Sequence, residues 1–542
     1  MTTLSFEAAG AAREAVEAHV PALVRDEVAA RLLAQDPTLW GPDAEAEASI
    51  RLGWLNPAPS SRPLLGQIRE LREELAAEGV DRVVLAGMGG SSLAPEVITR
   101  TAGVSLTVLD STDPDSVAAA LAEDLASTVL VVSSKSGSTV ETDSQRRAFE
   151  DAFTAAGIDA KSRIVVVTDP GSPLDAAARE AGYRAVFNAD PNVGGRYSAL
   201  TAFGLVPSGL AGADIEGLLD AAEDTAEILS DNAEDNIGLA LGAALGGTNP
   251  LRNKIVIVDE ESGLAGFPDW AEQLIAESTG KLQTGILPVV AEPGAPETLS
   301  GAPDVLVVRI VSPDSEALPE GDQVVVSGSL GAQMMLWEYA TAVAGRLLGI
   351  NPFDQPDVEA AKKAARGLLD AQPEPVAASF VDGSVEVRGG EALLGDSHTL
   401  TAALQALLGQ LGGDGYLSVQ AYLDRAKQTE LEKIRPELAQ ATGRPVTFGW
   451  GPRFLHSTGQ FHKGGPAQGV YLQVTGTPRQ DLPIPGRPFT FGQLISAQAT
   501  GDAQVLADQG RPVLRLNLLD REAGVRELEA AVRSLSTEGG NA

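Results

Sequence analysis

Short, wholly apolar runs separated by helical patterns constrain this chain more than any other feature. Arg82-Val83-Val84-Leu85-Ala86, Leu106-Thr107-Val108-Leu109, Val129-Leu130-Val131-Val132 and Ile164-Val165-Val166-Val167 recur in this way, with helical stretches such as Glu141 to Ala156 between them. Short strands apolar on both faces and separated by helices indicate a parallel sheet covered on both faces. The rhythm returns at Lys254–Val258, Val305–Val308 and Gln323–Val326, with helical patterns near 268–280 and 331–348. The chain therefore reads as α/β, with two doubly wound, mainly parallel-sheet domains and an α/β C-terminal region. The expected division is an N-terminal segment, 1–60, helical to about residue 36; a first sheet domain, 61–225; a second, 226–370; and a C-terminal region, 371–542. A Pro/Gly-rich stretch from about Gln372 to Gly390 sets that last region off. It is expected to mix a helix over 417–441 with a strand at Gly469–Val474.

Composition closes several functional classes. At 542 residues the chain is too long for one ordinary core, and 44% apolar with 21% charged residues is a globular composition. A net charge of -34 without a basic stripe argues against nucleic acid and against an anionic membrane surface. A phosphate can still bind where backbone amides and a few basic side chains converge. With no cysteine there is no disulfide, thiolate chemistry or Cys-ligated metal, which fits the cytoplasm. The opening residues show no secretory signal, and no apolar stretch approaches the ~18 residues of a membrane span.

Five clusters can carry chemistry. Gly87-Met88-Gly89-Gly90-Ser91-Ser92 follows a strand directly, so backbone can approach a ligand there. Ser92 stands at the third glycine position of a dinucleotide fingerprint and breaks it, and a tight turn alone is the competing reading. The helix after it is expected near Leu93, with Pro95 in its first turn. Ser133-Ser134-Lys135-Ser136-Gly137-Ser138-Thr139 ends the third strand and opens a helix, with Ser138 and Glu141 at capping-box spacing. Hydroxyls, free amides and a lysine charge converging at a helix start suit a phosphate, although a hydroxyl-rich cap is the alternative. No Walker pattern accompanies them. Arg196, in Gly194-Gly195-Arg196-Tyr197-Ser198, can reach into a cleft and stabilise a developing oxyanion, or be a surface arginine. Gln273 and Glu277 share one helix face at i, i+4, where a glutamate can serve as general base or be a solvated carboxylate. Finally, Pro356 suits a first helical position, which brings Gln355, Glu359 and Lys362 close to one face.

Taken together and in this order, the clusters resemble the glucose-6-phosphate isomerase family over roughly residues 40–365. Gly194–Ser198 and Phe353–Lys362 look like its two signatures, Gln273–Lys281 its catalytic-glutamate segment, Ser134–Thr139 its phosphate loop and Gly89-Gly90-Ser91 its sugar-contacting turn. The resemblance implies two sugar-isomerase (SIS) domains with the active site between them, a homodimer, and no metal or redox cofactor. It implies that Glu277 moves a proton between C2 and C1 of an opened sugar through a cis-enediol(ate), interconverting glucose 6-phosphate and fructose 6-phosphate in glycolysis and gluconeogenesis. Arg196 would stabilise the negative charge, Lys362 would assist at the ring oxygen, and Ser134, Lys135, Ser136 and Thr139 would hold the phosphate. Gly90, Ser91, Gln273 and Gln355 would contact the substrate.

One departure stands out. The family carries an Asn-Gly-Gln-His segment that supplies a ring-opening histidine, yet residues 282–350 contain no histidine. Of the four in the chain, His456 and His462 lie in a glycine- and hydroxyl-rich segment, Leu455–Pro466. The expectation is that the C-terminal region delivers His456 or His462 to the site; a structural histidine is an equal reading of either. That region resembles the isomerase half of transaldolase–isomerase fusions, and the residues ahead of the first SIS domain are too few for a transaldolase barrel. Two alternatives stay open: an isomerase that also accepts mannose 6-phosphate, and a non-catalytic SIS-domain sugar-phosphate sensor. The sensor would not need Glu277, Arg196 and Lys362 together, and no helix-turn-helix is evident.

Overall fold

The computed structural model describes residues 4–371 and 376–538. The N-terminal segment is not helical from its start. Strand β1 (Ser5–Ala8) precedes helices Gly10–Arg25 and Val28–Leu33. The first sheet holds β2 (Arg82–Gly87), β3 (Thr107–Leu109), β4 (Thr128–Ser133), β5 (Ile164–Thr168) and β6 (Ala185–Asn188), all parallel, in the order β3-β2-β4-β5-β6. Every residue of β4 and β5 is buried, as strands covered on both faces require. The second sheet holds β7 (Lys254–Glu260), β8 (Leu287–Ala291), β9 (Val305–Val311) and β10 (Gln323–Ser327) in parallel, and β1 adds antiparallel to β10 at its edge.

The third sheet has the order β11-β12-β16-β15-β13-β14, from β11 (Phe380–Asp382), β12 (Val385–Arg388), β13 (Tyr416–Tyr422), β14 (Val446–Trp450), β15 (Gly469–Gly476) and β16 (Val513–Leu518). The last four are parallel, and the β11–β12 hairpin closes one edge antiparallel to β16. Two expectations change here. Residues 417–441 are not one helix: Tyr416–Tyr422 is a wholly buried central strand, and the helix is confined to Ile434–Thr442. The stretch expected to separate this region includes that edge hairpin; residues 372–375 lie outside the described residues.

The first two sheets and the N-terminal segment share one hydrophobic core, while the third sheet builds its own. The N-terminal segment also seats two of the sequence clusters. Trp54 stacks on Tyr197 at 5.1 Å, Tyr197 meets Phe353 at 5.6 Å, and Trp40 meets Phe353 edge-on at 4.8 Å. Such aromatic contacts contribute about 0.5–1.5 kcal/mol each beyond area burial. They hold Gly194–Ser198 against the segment that follows Asn351. Among the described residues, no helix is long and apolar enough to cross a membrane.

Candidate active site

A cleft of about 520 Å³ opens where the first two sheet domains and the C-terminal region meet. The carboxyl ends of β2 and β4 face it, the usual place for a ligand in an open parallel sheet. Gly90, Ser91, Ser134, Lys135, Ser136, Thr139, Arg196, Gln273, Glu277, Gln355, Lys362 and His456 all line it. His462 does not.

The glycine turn is built for close approach. Gly89 has φ +56°, and a Cβ there would fall 2.8 Å from the carbonyl oxygen of His456. A Cβ on Gly90 would fall 2.0 Å from the carbonyl oxygen of Gly195, so the turn after β2 and the Arg196 loop touch backbone to backbone. The next helix begins at Gly90 rather than near Leu93, because Ser92 and Leu93 donate their amides to the Gly89 carbonyl. Pro95 therefore lies inside it and not in its first turn. Gly90→Ala should cost about 1–3 kcal/mol, the usual range for overpacking a tight contact. A denaturation midpoint equal to the parent's would contradict this.

The Ser133–Thr139 turn carries its hydroxyls inward on one another. Ser134 Oγ lies 3.1 Å from Thr139 Oγ1, and Ser136 Oγ lies 2.8 Å from Ser138 Oγ. The expected Ser138/Glu141 capping box is absent: Thr139 occupies the N-cap and no side chain caps the helix Val140–Ala155. Lys135 Nζ instead pairs with Asp169 Oδ2 at 2.6 Å. Burial pushes the Asp169 carboxyl up, against the pull of Lys135. Arg51 and Glu47, an ion pair at 2.8 Å from the N-terminal segment, close this side of the cleft.

Across the cleft, Glu277 lies on the helix Phe267–Thr279. Gln273 Nε2 donates to its Oε2 at 3.0 Å, and Arg196 NH1 stands 3.2 Å from its Oε1. The Arg196 side chain is 3% exposed and fixed by four further partners. Its Nε donates to Ser278 Oγ, NH2 to the carbonyls of Pro352 and Asp354, and NH1 to Gln355 Oε1 at 3.4 Å. A guanidinium held so firmly offers fixed positive charge without reorganisation. Lys281 Nζ ties the Gln355 segment down through Asn351 O, Asp354 O and Asp354 Oδ1, each at 2.7 Å; burial and nearby Arg196, partly countered by Asp354, bring its pKa to about 8. The helix bearing Lys362 starts at Val358, two residues beyond Pro356, so Gln355 stays in the preceding loop. Lys362 pairs with Glu359 at 2.8 Å.

The two histidines separate. His456 ends the 3-10 turn Arg453–His456; its carbonyl accepts from Gln273 Nε2 at 2.7 Å and its Nε2 lies 3.0 Å from Glu141 Oε1. A carboxylate partner makes Nε2 the donor and leaves Nδ1 available as acceptor or proton carrier. Glu141 also accepts from Gln498 Nε2 at 2.7 Å. Burial opposes Glu141's ionisation, yet His456 beside it holds its carboxyl below the usual range. His462 faces the third sheet instead, on the short helix Gly459–Gly464, packed among Tyr416, Tyr471 and Phe454. Its Nδ1 lies 3.4 Å from Gln420 Nε2, and burial drives its pKa well below 6.5. His462 is thus a neutral core histidine, which corrects its expected place in the site.

Glu47, Arg51, Asp169 and Glu141 were not legible as site residues. Only Asp169 had a local signal: it follows β5 at the carboxyl edge where such sheets bind ligands. Among the described residues, no group of three or more His, Cys, Asp or Glu side chains could hold a metal ion.

Residues 64–290 match the family model described as phosphoglucose isomerase. The glucose-6-phosphate isomerase of Gloeothece citriformis is 29% identical over 350 residues, 54% of this chain and 66% of that protein. The probable glucose-6-phosphate isomerase of Haloarcula marismortui is 31% identical over 366 residues, 57% of this chain and 83% of that protein. A hypothetical protein of Thermus thermophilus has a solved structure that superposes with a TM-score of 0.57 at 27% identity, covering 68% of this chain and 99% of that one. The chain spans about two thirds of the length of the first of these relatives.

Proposed function

Because this chain belongs to the glucose-6-phosphate isomerase family, we propose that it interconverts glucose 6-phosphate and fructose 6-phosphate as a cofactor-independent aldose–ketose isomerase of glycolysis and gluconeogenesis. One observation carries the reading: a hydroxyl- and lysine-bearing turn lies in the same cleft as a glutamate paired with a buried arginine. The first suits a phosphate, the second a proton transfer next to a developing oxyanion.

In this reading the phosphate occupies the Ser134–Thr139 turn. The Lys135–Asp169 pair lines this cleft, with side chains 23% and 20% exposed. A phosphate dianion would compete with Asp169 for Lys135 there. Lys135→Ala should raise the KM for fructose 6-phosphate by about 10-fold or more, since a charge-assisted hydrogen bond is lost. Turnover at saturation should change by less than about threefold, because the lysine is not at the reacting carbons. An unchanged KM would remove Lys135 from the phosphate site.

His456, backed by Glu141, and Lys362 would open the sugar ring, one taking the anomeric hydroxyl proton and the other serving the ring oxygen. Glu277 would then take a proton from C1 of the open ketose, the O1 hydroxyl proton would pass to O2 in the enediolate, and Glu277 would return its proton to C2, giving the aldose. Arg196 would carry the enediolate charge, and Gln273 keeps the carboxylate aimed. Gly90, Ser91 and Gln355 would flank the sugar. We propose a homodimer in the cytoplasm, as for the family.

The direct test is a coupled assay in which glucose 6-phosphate formed from fructose 6-phosphate is oxidised by a dehydrogenase. Turnover is expected. Binding of the sugar phosphate without turnover would favour the sensor reading instead.

A further inference from the structure

His456 reaches the cleft from the C-terminal region, so something must fix that region on the first sheet domain. Arg453, three residues before it, places NH1 2.7 Å from Glu96 Oε2 and 3.3 Å from Asp110 Oδ2. Arg425, in the loop after β13, takes the other oxygen of each: NH1 lies 2.7 Å from Glu96 Oε1 and Nε 3.6 Å from Asp110 Oδ1. Glu96 belongs to the helix that starts at Gly90, and Asp110 follows β3 directly. Both carboxylates are buried, at 9% and 2% exposure. Burial opposes ionisation of Glu96, but Arg453 and Arg425 hold its carboxyl well below the usual carboxylate range. Removing one member of such a cluster leaves the others buried and uncompensated. Nothing in the chemistry above uses these four groups.

We propose that Glu96, Asp110, Arg425 and Arg453 form a positioning cluster that clasps the C-terminal region to the first sheet domain, so that His456 meets Glu141, and that this cluster governs ring opening but not proton transfer. The inference rests on the isomerase reading above.

A substrate that cannot cyclise to a furanose separates the two steps. Fructose 6-phosphate closes its ring through the C5 hydroxyl, since the C6 oxygen carries the phosphate. 5-Deoxyfructose 6-phosphate therefore needs no opening. Glu96→Gln keeps the side-chain shape and removes its charge. It should lower kcat on fructose 6-phosphate by about 10-fold and leave kcat on the deoxy compound within about twofold. Combined with His456→Ala, it should add no further loss on fructose 6-phosphate, because both act through one group. Equal losses on both substrates, or none on either, would overturn the proposal. His456→Ala run alongside separates the causes. If it splits the substrates and Glu96→Gln does not, the positioning role alone fails. If His456→Ala does not split them, the ring-opening reading fails and takes the proposal with it. Should Glu96→Gln not fold, Arg425→Gln, with a side chain 28% exposed, must show the same split or the proposal fails.

Discussion

Glu277→Gln is expected to lower turnover of fructose 6-phosphate by about 10³-fold, within the 10²–10⁴-fold range of a positioned general base. The amide keeps the size and planarity of the carboxylate but cannot accept the C1 proton. Structural collapse should not contribute. Arg196 would lose its partner at 3.2 Å yet keep Ser278, Pro352, Asp354 and Gln355. KM should stay within about threefold, because the phosphate turn does not depend on this side chain. Steady-state kinetics of the purified variant check both numbers. A kcat within about 10-fold of the parent would assign the base elsewhere.

His456→Ala should lower turnover of fructose 6-phosphate by about 10²-fold. The reason is local. Glu141 holds Nε2 at 3.0 Å, and Gln498 holds Glu141 in turn at 2.7 Å. The imidazole is thereby fixed in orientation and tautomer, which a ring-opening acid–base group needs. The loss should shrink to less than about threefold on 5-deoxyfructose 6-phosphate, which arrives open. His462→Ala should give no such split, because its ring is buried among Tyr416, Tyr471 and Phe454 away from the cleft. Loss of activity on both substrates alike after His456→Ala would leave that histidine without a role in ring opening.

Much of the fold was legible because β2, β4, β5, β7, β9 and β10 carry short apolar runs, rich in valine and isoleucine and bounded by polar or glycine residues. β13 was lost for the opposite reason. Tyr416–Tyr422 runs directly into the charged segment before Ile434, and the spacing of Leu417 and Ala421 imitates a helix face. β1 is four residues long and is set by its partner β10, which lies far along the chain. The site was legible where its residues are contiguous: a hydroxyl run or a glycine pair announces itself locally. Arg51 reaches the cleft, and Glu141 reaches His456, only through tertiary packing, and their neighbours in sequence say nothing of it. The two histidines show the same limit. Six residues apart, His456 ends one 3-10 turn facing Glu141, and His462 sits on the next helix facing Gln420.

The isomerase reading turns on proton transfer at C1 and C2 by a carboxylate in this cleft. The most direct measurement is to incubate the parent protein with fructose 6-phosphate in deuterium oxide until the two sugar phosphates equilibrate, and to follow C2 of glucose 6-phosphate by NMR. An enediolate whose proton rests on Glu277 exchanges with solvent, so deuterium should accumulate at C2. Full conversion with protium retained at C2 would mean direct hydrogen transfer between the carbons and would contradict the role given to Glu277.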